Sequence, residues 1–357
     1  MNRLFTKRLG ALMSSLLIIS SVSFSQFDNF DFLKSVPADG VKFLQAYISP
    51  YTNAFGAGLN GGWYNSAKPH KLLGFDLTLS VNAGIVPSSE NTFDVTKIGL
   101  TKLTGTGMAS TIAGPNKNGP VITYKDNASG VTLASFTAPP GTEWKYVPTP
   151  TVQLGLGLPF GTEVKFRFIP KIDLGGKGDI SLFGVGVMHS LLQYLPGYKM
   201  MKLWDVSFFG GYTKLQGNAG IDLQPDWAKA HYSTNYPTTA FQNQNLSASF
   251  AAMNVGLVGS INIPVLTLYG GVGYCSTKTD IKLTGNFPTP TYNAAYSPPD
   301  VYEDAGVIKN FPAIEIKNSG VRANIGLRIK LAIITIHADY TLAQYNMLST
   351  GLGISFR

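Results

Sequence analysis

The sequence predicts an all-β protein: a transmembrane antiparallel β-barrel of 12–14 strands with a short N-terminal helical hatch. Three observations predict it: an export signal, period-two alternation that continues to the last residues, and charges placed opposite the apolar stripes. Composition agrees. Of 357 residues, 44% are apolar and only 13% charged, about half the roughly 25% usual for soluble domains. Glycine reaches 39 residues and aromatics 12%, which disfavours a cytosolic enzyme, a coiled coil or a disordered chain. No charge-rich or Pro/Ser linker divides the interior, so one continuous architecture is expected.

The N-terminus carries an address. Arg3, Lys7 and Arg8 precede an apolar run over 9–22, and Ser23 and Ser25 stand at positions −3 and −1 before Gln26. This predicts a cleavable signal peptide over 1–25. A run of that length falls short of the roughly 20 residues that span a bilayer as a helix. Removing the signal leaves 25 Lys+Arg against 20 Asp+Glu, a diffuse net +5 that gives no reason to expect nucleic acid. Cys275 is the only cysteine, so intramolecular disulfides and thiolate zinc sites are excluded.

The segment 26–54 reads as the hatch. Phe30, Phe32, Leu33 and Val36, then Val41, Phe43, Leu44, Tyr47 and Ile48, follow helical spacing, with Pro37 starting the second of two short helices. Phe30, Phe43, Leu44 and Tyr47 are the residues expected to plug a lumen, from beneath or inside the barrel; the alternative is that the two helices form a small periplasmic cap. The barrel itself is expected over 55–357.

Alternation then takes over. From Phe75, the residues Phe75, Leu77, Leu79, Val81 and Ala83 share one face, with Asp76, Thr78, Ser80 and Asn82 on the other. Strands are expected at 55–64, 72–86, 92–103, 150–158, 162–170, 178–189, 203–213, 250–263, 265–276, 316–330, 332–342 and 347–356. A further hairpin at 121–124 and 130–136 would make fourteen. Several runs match the roughly 9 to 11 residues of a tilted membrane strand. Their inferred inner faces carry Asp76, Lys165, Arg167, Arg322, Asn324, Arg328, His337 and Asp339, which suits a wet lumen better than a sandwich core. Trp63, Tyr64, Trp204, Tyr212, Tyr274 and Tyr340 fit interfacial girdles. Links at 159–161, 264 and 330–331 are short, while 104–148, 214–245 and 277–315 are long and are expected outside.

Catalytic signals are weak. His337 and Asp339 lie two apart on one inferred inner face, where a carboxylate could orient an imidazole, but no nucleophile is placed. His189 reads as structural, and His70 and His231 as outer-loop residues. No metal-ligand spacing such as His-Glu-x-x-His occurs, so no metal, no cofactor and no enzymatic activity are expected. The glycine pairs at 155/157, 184/186 and 270/271 do not open helices, so they read as points of strand bending rather than phosphate loops.

The stretches ISPYTNAFGAGLNGGWY (48–64), GVGVMHSLLQYLPG (184–197), FFGGYTKLQG (208–217) and GLGISFR (351–357) resemble outer-membrane barrels of the long-chain fatty-acid transporter type. They resemble more closely a Gram-negative outer-membrane family of unknown function allied to them. That resemblance implies a cell outer-membrane location, an N-terminal hatch and passive uptake of a small hydrophobic molecule. The broad type also includes shuttles in protein secretion. The alternative is therefore a non-transporting adaptor whose long outer loops bind a protein partner. In either case outer-membrane lipid surrounds the chain.

Overall fold

The computed structural model describes residues 37–125, 132–175, 177–197, 203–221, 243–288, 291–292, 302–303, 307–309 and 311–356. The expected signal peptide, Phe30 and His231 lie outside the described residues. Ten strands close an antiparallel barrel. They are β1 (Phe75–Ile85), β2 (Tyr146–Leu158), β3 (Thr162–Asp173), β4 (Gly178–Ser190), β5 (Trp204–Gly220), β6 (Asn245–Asn262), β7 (Leu266–Thr284), β8 (Ile314–Leu331), β9 (Ile334–Leu342) and β10 (Met347–Phe356). Each pairs with its chain neighbours, and β1 meets β10 from Phe75↔Phe356 to Gly84↔Met347. This closure leaves no edge to aggregate or to face lipid unpaired.

Alternation became a barrel because one face had to meet lipid. The stripes Leu77, Leu79 and Val81 on β1, Phe166 and Phe168 on β3, and Leu348, Leu352, Ile354 and Phe356 on β10 all point outward and are exposed. The intervening residues point inward and are largely buried. An apolar outside around a polar inside is the architecture of a membrane barrel. Among the described residues no helix is long and apolar enough to cross a membrane. Leu327 lies in the outward belt, so Leu327→Arg is expected to cost roughly 2–4 kcal/mol near the bilayer midplane. Urea unfolding in lipid vesicles measures this, and a cost below about 1 kcal/mol would contradict the face assignment.

The strand count is ten, not the 12–14 expected. Residues 55–64 alternate apolar and small side chains, but they form the end of a helix and a luminal stretch. Residues 92–103 contain only Thr92–Asp94, a 3-10 turn at Val95–Lys97 and part of Leu103–Thr104. The hairpin expected near 121–136 exists as Val121–Lys125 with Thr132–Thr137, but it pairs with Leu103–Thr104 in a separate small sheet. These segments are too short to span a bilayer and belong to a cap.

Short turns at 159–161, 263–265 and 332–333 share the barrel end where β1 starts and β10 finishes, which is the periplasmic end by the usual rule for such barrels. The longest connections, 86–145, 221–244 and 285–313, leave from the other end. The strands β5 to β8 have 17, 18, 19 and 18 residues, well beyond the roughly 9–11 that cross the membrane. They rise past the apolar belt and support the cap.

Of the two short helices expected, the first, over Phe30, Phe32, Leu33 and Val36, lies outside the described residues, and the second is α1 (Pro37–Leu59), longer than expected. It starts at Pro37 and continues through Pro50. Its first half packs in the cap: Val41, Phe43, Leu44 and Tyr47 share a core with Val95, Leu103, Ile112 and Ile122, and with Ile281, Leu283, Phe311 and Ile314. Phe43, Leu44 and Tyr47 therefore fill the interior of the outer cap rather than a lumen. The second half descends inside the wall at very close range. A Cβ on Gly84 would stand 2.0 Å from Ala54 O, and one on Gly58 would stand 2.3 Å from Thr149 Oγ1, so only glycine fits at either point.

Candidate functional site

The site is the lumen, and the chain's own N-terminal segment occupies it. After α1, residues 60–74 run on through the barrel and emerge at the periplasmic end to begin β1. Helix ends leave carbonyls without partners and carry partial negative charge. Here Asn60 N–H and Gly61 N–H close back on Ala57 O and Gly58 O, and Gly62 turns with φ +66. The remaining carbonyls are taken by the wall. Arg167 on β3 donates from Nη1 to Leu59 O (2.8 Å) and from Nη2 to Gly61 O (2.6 Å). Its guanidinium also stacks 3.7 Å from the Trp63 ring centre. Arg322 on β8 donates to Asn60 O at 2.8 Å. Two cations thus cap the negative end of α1.

Below this clamp, Trp63 and Tyr64 pack on Phe209, and Tyr64 donates to Asn324 Oδ1 at 2.7 Å. Trp63 and Tyr64 are thus luminal rather than part of a girdle. The other four aromatics, Trp204, Tyr212, Tyr274 and Tyr340, face outward. Arg328 reaches Asn65 Oδ1 at 3.1 Å.

At the periplasmic mouth Glu163 Oε2 accepts from the His70 backbone N–H (2.9 Å) and lies 3.0 Å from His70 Nδ1. Lys165 donates to Glu163 Oε1. His70 Nε2 lies 3.1 Å from Ser355 Oγ, which also accepts from Lys330 at 3.2 Å. His70 is therefore luminal, not an outer-loop residue.

All eight residues expected to line the lumen, Asp76, Lys165, Arg167, Arg322, Asn324, Arg328, His337 and Asp339, point inward. Arg167, Arg322, Asn324 and Arg328 touch the threaded segment directly. His337 and Asp339 do not form an orienting pair. Asp339 accepts from Tyr269 at 3.0 Å, and neither ring nitrogen of His337 has a hydrogen-bond partner. His189 bonds Thr162 and Tyr194 at the periplasmic rim, a structural role.

Sequence reasoning missed Glu163 and Ser355 and misplaced His70 and Trp63. Glu163 had a usable signal, since it alternates in phase with Lys165 and Arg167. His70 had none, because 60–74 has no period.

At the outer end Asp39 holds the cap to α1. Its carboxylate accepts from the backbone N–H groups of Thr101 (2.8 Å), Lys102 (2.6 Å) and Leu103 (2.9 Å), and from the Thr101 hydroxyl (3.0 Å). Burial pushes this carboxyl upward, but the four hydrogen bonds outweigh it and hold the group below the ordinary aspartate range.

A family model described as "Family of unknown function (DUF6588)" matches residues 1–356. No curated protein sequence matches the chain. Among solved structures, the translocator domain of autotransporter NalP from Neisseria meningitidis is similar at 11% identity and TM-score 0.30, over 85% of this chain and 94% of that one. The outer-membrane protease OmpT from Escherichia coli is similar at 10% identity and TM-score 0.28, over 79% and 97%. Ail, the attachment invasion locus protein of Yersinia pestis, is similar at 9% identity and TM-score 0.26, over 80% and 99%.

Proposed function

We propose a role for this chain, which belongs to the DUF6588 family of unknown function: a sealed outer-membrane barrel that anchors a folded cap at the cell surface for a protein partner. The observation that carries this reading is the lumen. The second half of α1 and residues 60–74 run its whole length, and the inward charges hold them there, with Arg167, Arg322, Arg328 and Glu163 each bonded to the segment. A lumen spent on binding its own chain is suited to anchorage rather than flow. The cap built from residues 86–125, 132–145, 286–288, 307–309 and 311–313 on the outer half of α1 is the surface offered to the partner. Export through a cleavable signal over 1–25 and residence in the outer membrane belong to the same reading, with membrane lipid around the apolar belt. No catalytic step enters it, since His337 and Asp339 are unpaired with each other: Asp339 accepts from Tyr269, and neither ring nitrogen of His337 has a partner.

Uptake of a small hydrophobic molecule, the role the fatty-acid transporter resemblance implies, is the second reading, and one observation favours it. Between β6 and β7, Gly256 faces Gly273 and Gly259 faces Gly270. An open hollow of about 320 Å³ lies there, lined by Val206, Leu257, Gly259, Gly270 and Val272. Ten strands rather than fourteen leave less lumen to work with.

Liposome swelling and planar-bilayer recording on the full-length protein separate the two readings. The anchoring role predicts no swelling and no conductance steps. Solute-dependent swelling, or loss of fatty-acid uptake in cells lacking the protein, would put uptake ahead.

A further inference from the structure

We propose that His70, Asp76 and Glu163 form a divalent-cation site that staples the threaded segment to the barrel wall at the periplasmic mouth. The three residues come from three separate pieces of chain: the luminal segment, β1 and β3. Their donor atoms all lie within 4.8 Å of one another. His70 Nδ1 is 3.0 Å from Glu163 Oε2 and 3.7 Å from Asp76 Oδ1. A tetrahedral ion with bonds of about 2.0–2.1 Å needs donors roughly 3.3 Å apart, and these two edges bracket that value.

Two further features point to a cation rather than to a chance cluster. First, the carboxylates converge over Gly155. A Cβ there would stand 2.1 Å from Asp76 Oδ1 and 2.8 Å from Glu163 Oε1, so the close approach of the two acids requires the glycine. Bringing two carboxylates together away from water is costly unless positive charge answers both. Lys165 answers Glu163 through Oε1, leaving Oε2 on the His70 side; Lys165, Arg328 and Lys330 also act on Asp76 electrostatically, but none of them is bonded to its oxygens.

Second, Asp76 is only 6% exposed. Thr78 donates to its Oδ2 at 2.9 Å, yet its Oδ1 has no hydrogen-bond partner and faces His70 Nδ1. The imidazole is already oriented as a ligand. Ser355 at Nε2 fixes the ring with Nδ1 toward the two acids, the outer-shell support that metal-binding histidines usually have. One neutral imidazole and two carboxylates match a borderline divalent ion such as Zn²⁺, with a fourth position left for water. In a chain with one cysteine, such an ion would supply the cross-link that a disulfide cannot.

The test uses the full-length protein in detergent micelles, stripped with chelator and titrated with Zn²⁺ alone by calorimetry, with thermal unfolding followed in parallel. One Zn²⁺ per chain and a higher unfolding temperature are expected. Asp76→Asn keeps the side-chain shape and should weaken binding at least about tenfold, while heat-modifiable gel migration confirms a folded barrel. His70→Gln, which keeps the backbone N–H bond to Glu163, should do the same and decides the matter if the first variant does not fold. Absence of stoichiometric Zn²⁺ uptake by the wild type, or wild-type titration by a folded variant, would overturn the site.

Discussion

Deleting residues 347–357 abolishes insertion of the barrel. β10 is bonded on both sides, to β1 and to β9, so its loss exposes two rows of backbone N–H and C=O groups at membrane depth. Each unsatisfied group costs several kcal/mol in lipid, and nothing in the remaining nine strands can move to cover them while the threaded segment holds the wall apart. The strand also carries four lipid-facing side chains, Leu348, Leu352, Ile354 and Phe356, and an inner-face serine, Ser355, that orients His70. Heat-modifiable migration of membrane fractions checks this. A truncated chain that still migrates as a compact barrel would show that closure does not depend on β10.

Replacing Arg167 by Met is expected to cost about 3 kcal/mol or more, the largest effect of any single luminal substitution. Arg167 is fully buried, and the change removes the donors of Leu59 O and Gly61 O together with the stacking on Trp63. Hydrogen bonds to charged groups contribute roughly 1.5–3 kcal/mol each, and a desolvated cation–π contact about 2. The cost of burying the guanidinium offsets part of that sum. Arg167→Lys should rescue less than half, because one ammonium cannot reach both carbonyls and stack as well. Urea unfolding in vesicles gives the comparison. Equal stability of wild type and Arg167→Met would mean that the helix end is held by packing alone.

All ten barrel strands were legible in the sequence, because the constraint that makes them is local: each must alternate to meet lipid on one side. The overcount came from two places where alternation was accidental. At 55–64 the small residues serve close helix-to-wall packing, and an FGAGLNGG run satisfies both a two-residue and a helical period. At 92–103 Phe93 and Val95 feed the cap core instead of a stripe. The inward charges were legible for the same reason as the strands.

What those charges bind was not, because Arg167, Arg322 and Arg328 grip backbone and amide oxygens of 59–65, which leave no mark in a side-chain pattern. Phe43, Leu44 and Tyr47 show the same limit. Their helical spacing announced a buried face, but whether that face packs in a lumen or in a cap above it depends on which way the segment runs through the barrel. His70 was misplaced on the same account.

The direction of that threading is the central claim, and site-specific labelling tests it most directly. In a Cys275→Ser background, Ala38→Cys stands at the outer end of α1 and Lys71→Cys at the periplasmic mouth, both at exposed positions. Intact cells treated with a membrane-impermeant maleimide should label Ala38→Cys and leave Lys71→Cys unlabelled until the outer membrane is permeabilised. Labelling of Lys71→Cys but not Ala38→Cys in intact cells would contradict a segment that runs from the outer cap down through the lumen to β1.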